Sequence, residues 1–147
     1  VSHSNARALC PHRRNLTDEQ IRMIGERDGV IGLNFLGMFI TEDYRSATVD
    51  HLADHAAHIA AIAGPSAIAL GPDYADYYMD AMQKWLRRDG LPPDLITFAA
   101  GAEHVSRLPA FIEALIRHGF SESDITGILG GNALRLYRTI ISSNTAT

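Results

Sequence analysis

The sequence is poor in several features that would narrow its class at once. It has one cysteine, Cys10, in 147 residues. That excludes an internal disulfide framework and a CxxC metal or redox pair, and it suits a reducing compartment. Acidic residues outnumber basic ones, 17 to 13, for a formal net charge of −4, so there is no basic footprint for nucleic acid. No apolar run reaches the roughly 20 residues of a transmembrane helix. No signal peptide is visible, and the closing SSNTAT lacks the hydrophobic tail of a GPI signal at this end. Internal repeats, low-complexity tracts and an HExxH helix are missing too. What remains is an ordinary globular composition, 46% hydrophobic and 20% charged, at a length that suits one domain with a sizeable core.

Periodicity supplies the organisation. NLTDEQIRMIGERDG (15–29) reads as a helix. Thr17 can cap it and Gln20 completes a capping box; Ile21, Met23 and Ile24 form an apolar face, and Gly29 is the stop. VIGLNF (30–35) follows as a short buried strand. SATVDHLADHAAHIAAIAG (46–64) is a second helix, with Val49, Leu52, Ala53, Ala56, Ile59, Ala60 and Ala63 at helical spacing. AIALGPD (67–73) is a second buried strand. Helix–strand–helix–strand with apolar strands predicts an α/β fold, a parallel sheet covered by helices. The unit length of roughly 30–40 residues fits a doubly wound sheet or a (β/α)8 barrel. Val1 reads as the last residue of a further strand.

Beyond Asp73 the pattern changes. Residues 76–90 read as a helix with Tyr78, Met79, Met82, Trp85 and Leu86 on one side, a core, lid or dimer surface. Lys84, Arg87 and Arg88 mark its solvated side. Residues 91–106 look irregular, 108–120 form an amphipathic helix stopped by Gly119, and 121–141 are helical but divided at Gly130-Gly131. With no strand before it and no lysine after it, Gly130-Gly131-Asn132 reads as a helix junction rather than a phosphate loop. The SSNTAT tail is expected to fray.

Three strand ends carry polar groups: His3, Asn34 and Asp73. In parallel α/β folds the C-terminal strand ends form the site face. His3 can ligate a metal, act as a base or bind substrate. Asp73 can ligate or carry a proton, and Arg14 on the first loop can grip a carboxylate bidentately. Asn34 is expected to hydrogen-bond near the site floor. His51 and His55 have a spacing that can bind zinc, but helix packing or hydrogen bonding is the favoured reading for them and for His58. Cys10 reads as a buried core thiol, with no base beside it in sequence. His12 falls on a loop with neither reading preferred, and His104 and His118 read as surface residues.

The strings SHSNARALCPHRRNLTDEQIRMI, HAAHIAAIAG…IALGPD and ESDITGILGGNALRLY together resemble the membrane (renal-type) dipeptidase family of zinc peptidases. The resemblance implies a (β/α)8 TIM barrel of the metal-dependent hydrolase type, of which residues 1–147 would be a single-domain C-terminal portion. It implies a site of two zinc ions bridged by a glutamate, hydrolysing dipeptides with a metal-activated hydroxide. In it His3 matches a ligand of the second zinc, Arg14 the arginine on the substrate carboxylate, and Asp73 the aspartate that handles a proton beside the scissile amide. His55 and His58 match a recurrent HxxHI whose histidines are not ligands. The family's HxD pair, bridging glutamate and second zinc histidine are not found here. They are expected upstream, and the isolated chain is expected to be inactive. Gly71-Pro72-Asp73-Tyr74-Ala75-Asp76 departs from the family's Gly-x-Asp-Phe-Asp-Gly, and 77–100 is expected to be an insertion covering the pocket. Two other readings stay open: a metal-dependent amidohydrolase of another small acylated amino acid, and a catalytically silent homologue acting as a binding module. The expected partner is a dipeptide, a homodimer is left open, and a cytoplasmic setting is favoured for a bacterial-type homologue.

Overall fold

The computed structural model describes residues 1–74 and 78–144. In chain order its elements are α1 (Asp18–Gly25), β1 (Ile31–Leu33), α2 (Val49–Ala63), β2 (Ile68–Leu70), α3 (Met79–Arg88), α4 (Leu108–Arg117), α5 (Glu122–Thr126) and α6 (Asn132–Asn144). A π-helical turn, Gly127–Gly131, joins α5 to α6, with Gly130 off helical geometry at the expected division. Ala75 and Asp76, where the sequence leaves the Gly-x-Asp-Phe-Asp-Gly pattern, lie outside the described residues.

β1 and β2 pair in parallel, with Ile31 opposite Ile68 and Leu33 opposite Leu70. A parallel pair needs a long crossover, and α2 supplies it. The first residues run along the other edge of β1. Val1 gives its amino group to the Val30 carbonyl at 2.8 Å and accepts from Gly32 N at 2.9 Å; Ser4 N then reaches the Gly32 carbonyl at 2.7 Å. A regular parallel ladder would use residue 3 for that last bond. The extra residue makes a bulge at Ser2-His3, a device that re-aims a side chain. Val1 thus behaves as the strand end its sequence implied.

The bulge has a steric consequence. A Cβ on either Gly32 or Gly71 would overlap the Ser2 carbonyl. Gly71→Ala is therefore expected to cost about 1–3 kcal/mol through overpacking against backbone that cannot yield. Urea denaturation checks this, and an unchanged midpoint would mean that the Ser2 carbonyl does not cross there.

The core lies between this sheet and the helices. Leu52, Ala53, Ala56 and Ile59 of α2 are fully buried, against Ile21 of α1, Phe111, Ala114 and Leu115 of α4, and Ile31, Leu33 and Phe35 along β1. Alanines on α2 let its neighbours come close: a Cβ on Gly25 would strike the Ala63 methyl. The capping box on α1 is present, with Gln20 N donating to Thr17 Oγ1 at 3.3 Å and Thr17 N to Gln20 Oε1 at 2.9 Å. The end of α1 differs from expectation. The left-handed residue is Asp28 (φ 52°), and Gly29 N closes back on the Ile24 carbonyl at 2.9 Å, so the stop takes two residues, as in a Schellman-type ending.

α3 also differs from a simple core helix. Leu86 is buried at 1% exposure, while Trp85 is 44% exposed and Tyr78 51%. Only part of the apolar side read from the sequence is covered. The 94–100 stretch is tied to the loop after β1 by the exposed Arg45–Asp94 ion pair at 2.6 Å and by bridges from Leu36 to Phe98 and from Thr48 to Ala100. Tyr74, standing where the family pattern has Phe, packs against Phe35 and Phe98. Its hydroxyl donates to the Ala102 carbonyl at 2.9 Å.

Candidate active site

The bulged segment presents His3 beside Arg14. Arg14 Nη2 lies 2.8 Å from His3 Nε2, and Ser2 Oγ lies 2.8 Å from His3 Nδ1. A guanidinium only donates. Nε2 must therefore be the acceptor, the ring proton belongs on Nδ1, and Nδ1–H donates to the Ser2 hydroxyl. Arg14 is held further by the Phe39 ring, 4.8 Å from guanidinium carbon to ring centroid. Ser4 Oγ donates to the Arg14 carbonyl at 2.9 Å, and Arg14 N donates to His12 Nδ1 at 3.2 Å. Among the described residues only Nη2 of the guanidinium has a hydrogen-bond partner, so Nη1 and Nε remain able to grip a carboxylate.

β2 ends at Leu70 rather than running on to residue 73, and Asp73 lies three residues past it, on the loop, with φ 63°, a region that Asp and Asn tolerate better than most residues. Its Oδ2 faces Asn34 Nδ2 at 3.5 Å, a long bond. No direct contact joins Asp73 to His3 or Arg14 among the described residues. The link runs through buried asparagines. Asn34 Oδ1 accepts from Leu36 N at 2.8 Å, which aims the Asn34 amide at Asp73. Asn34 N donates to Asn5 Oδ1 at 3.1 Å, and Asn5 Nδ2 donates to the carbonyls of Asn34 at 2.9 Å and Phe39 at 3.1 Å. Asn15 Nδ2 donates to the Phe39 carbonyl at 2.9 Å and to that of Cys10, also at 2.9 Å. The strand ends are thus stitched into one polar frame, with Asn5 two residues after His3 and Asn15 directly after Arg14. Both asparagines stood in the SHSNARALCPHRRN string; what no periodicity shows is that they turn inward.

The remaining histidines each have partners away from His3. His55 is buried, accepts from Ala6 N at Nδ1 over 3.1 Å and donates from Nε2 to the Ile40 carbonyl over 2.9 Å. Both nitrogens are engaged, so the His51–His55 spacing makes no zinc pair. Burial holds the His55 pKa below its ordinary value. His58 pairs with Asp18 at 2.8 Å and His118 with Asp54 at 3.0 Å. His51 meets Thr48 and His104 meets Ser106. His12 stands edge-on to Phe39 at 4.7 Å; burial, then the charges of Arg14, Arg13 and Arg7, hold its pKa down. Cys10 is buried, with its thiol 3.7 Å from the Met38 carbonyl, and burial raises its pKa. A thiol kept protonated there is packing, not a nucleophile.

His3 fits a metal ligand in its tautomer, with the Nδ1 proton steadied by a hydroxyl, but its Nε2 lone pair is taken up by Arg14 Nη2 at 2.8 Å, so a metal there would take the place of that hydrogen bond. His3 is one ligand, not a centre. Among the described residues no group of three or more His, Cys, Asp or Glu side chains is placed to hold a metal ion. No described helix is long and apolar enough to cross a membrane.

Comparison with known proteins identifies the fold and the family. A metallo peptidase from Rhodobacter sphaeroides, solved with a phosphinate mimic of the dipeptide L-Ala-D-Ala, superposes with a TM-score of 0.70 at 30% identity, over 90% of this chain and 33% of that one. The architecture is that of a portion of a TIM-barrel metal-dependent hydrolase. The family model for membrane dipeptidases (peptidase family M19) matches residues 1–87 and 90–147, and the chain belongs to that family. Dipeptidase aclJ of Aspergillus oryzae is 32% identical over 136 residues, which is 92% of this chain and 28% of that protein. Human Dipeptidase 3 is 32% identical over 139 residues, 95% of this chain and 25% of its own length. The chain therefore spans about a quarter of the curated relatives it matches. M19 proteins are metallopeptidases, so the family implies a metal.

Proposed function

We propose that this chain supplies the His3, Arg14 and Asp73 part of a metal-dependent dipeptidase site. The observation that carries the reading is the juxtaposition of a histidine, whose Nε2 lone pair faces Arg14 and would pass to a bound metal, with an arginine that keeps two uncommitted nitrogens. Arg14 binds the free C-terminal carboxylate of a dipeptide and fixes its orientation. Asp73 stands on the loop past β2, on the same polar frame, and passes a proton to the leaving nitrogen. His3 is one ligand of a zinc site of two ions; the other ligands come from outside the described residues. Bound metal would polarise the amide carbonyl and supply an activated water. The 77–100 stretch covers the substrate; among its described residues, Asp94 is tied to Arg45 of the loop after β1.

Two proteins test this: the 147-residue chain alone, and a chimera in which it replaces the matched 136 residues of the Aspergillus oryzae relative. The isolated chain is expected to bind no stoichiometric zinc and to turn over no dipeptide. The chimera is expected to do both. A folded, zinc-loaded chimera inert towards a panel of dipeptides would overturn the reading. Preference for N-acyl amino acids over dipeptides would move it to a related amidohydrolase.

A further inference from the structure

Arg14 is an exposed side chain, and its grip on a carboxylate depends on what holds the guanidinium in place. The most constrained group touching it is Phe39. The Phe39 ring is nearly fully buried and lies 4.8 Å from the Arg14 guanidinium carbon. His12 closes its edge at 4.7 Å. The Phe39 carbonyl accepts two amide bonds, from Asn5 at 3.1 Å and Asn15 at 2.9 Å, and both asparagines are essentially without exposure. The Phe39 N–H donates to the Leu36 carbonyl at 3.0 Å. Backbone and ring are thus fixed from several sides by the same frame that carries the His3 and Arg14 segments.

We infer that Phe39 is a positioning residue for Arg14: its ring is a fixed platform, set by Asn5 and Asn15, that keeps the guanidinium ready for the substrate's C-terminal carboxylate. This rests on the dipeptidase reading above and goes beyond it by naming what prepares the carboxylate grip. The physics is a cation–π contact combined with entropy. A guanidinium already ordered on a ring loses less freedom when it binds an anion than one moving freely in water. The contact exists before substrate arrives, so its loss falls on binding rather than on the chemical step.

Two measurements test the inference. In the 147-residue chain itself, the Arg14 side-chain protons are expected to show upfield ring-current shifts by NMR. Those shifts should disappear in Phe39→Leu and persist in Phe39→Tyr, which keeps the ring. In the chimera, Phe39→Leu is expected to raise KM for dipeptides about fivefold with kcat within about twofold, and Phe39→Tyr to restore KM. Random-coil Arg14 shifts in the parent chain would overturn the inference. So would a Phe39→Leu enzyme with unchanged KM, or one losing kcat at constant KM. If Phe39→Leu fails to fold, Phe39→Met and Phe39→Tyr are compared in the same way, and equal KM values overturn it. A parent chimera without dipeptidase activity would count against the functional reading alone, because the NMR result stands without turnover.

Discussion

Asp73→Asn is expected to lower kcat for dipeptide hydrolysis by about 100- to 1,000-fold, the range for removing a positioned acid–base group. The choice of asparagine matters. Asp73 has φ 63°, and Asn adopts this left-handed conformation at little cost, whereas Ala would add backbone strain to the chemical loss. Asn also keeps an oxygen that can accept from the Asn34 amide, now 3.5 Å away. The substitution therefore removes the carboxylate while holding the loop. KM is expected to stay within a few-fold, because the carboxylate grip belongs to Arg14, and the denaturation midpoint should not move. Steady-state kinetics of the chimera with and without the substitution decide it. A kcat within tenfold of the parent would remove Asp73 from the proton-transfer role and leave it a loop residue.

The second large effect is on stability. His55→Ala is expected to destabilise the chain by about 3–5 kcal/mol, because it leaves Ala6 N and the Ile40 carbonyl buried without partners and opens a cavity. His55 joins three separate parts of the sequence: α2, the segment that carries His3, and the loop that carries Phe39. The pH dependence follows from the same geometry. Burial lowers the His55 pKa from 6.5, outweighing the bond to Ile40 and the charge of Asp54, which raise it, while His58 and His51 lower it further. Between the folded and unfolded values the unfolded chain binds more protons, so stability falls with falling pH. The His55 contribution is complete above about pH 6.5 and is lost as pH drops below that towards the folded value. His12, also lowered by burial, acts in the same sense. The carboxylates held low, Asp94, Glu103 and Asp124, act only near and below about pH 4. Chemical denaturation between pH 5 and 8, above the range of those carboxylates, is expected to show a slope in the parent that shrinks in His55→Ala. Equal slopes in the two would show that His55 does not titrate with unfolding.

Much of this was legible along the chain because it depends on near neighbours. The α1 capping box needs only Thr17 and Gln20, three residues apart, and the structure has it. β1 and β2 read as buried strands because both faces are covered, which makes their sequences apolar throughout. The α2 stripe shows at helical spacing. The limits were also physical. Asp28 took the left-handed position at the end of α1 because Gly29 was already committed to closing on Ile24. Trp85 stayed half exposed because amphipathic spacing shows that a helix has an apolar side, not that anything packs on it.

The sequence alone determined the order of elements, the parallel strands, the polar residue types at their C-terminal ends and the family those strings resemble. These are properties of local period and residue identity. Only the tertiary structure decided that the extra residue at Ser2-His3 turns a histidine towards Arg14, that a buried ring holds that arginine, and that Asn5, Asn15 and Asn34 face inward to join segments up to 39 positions apart. A side chain's partner across such a distance is fixed by how the chain is packed, and no spacing within one segment carries that information.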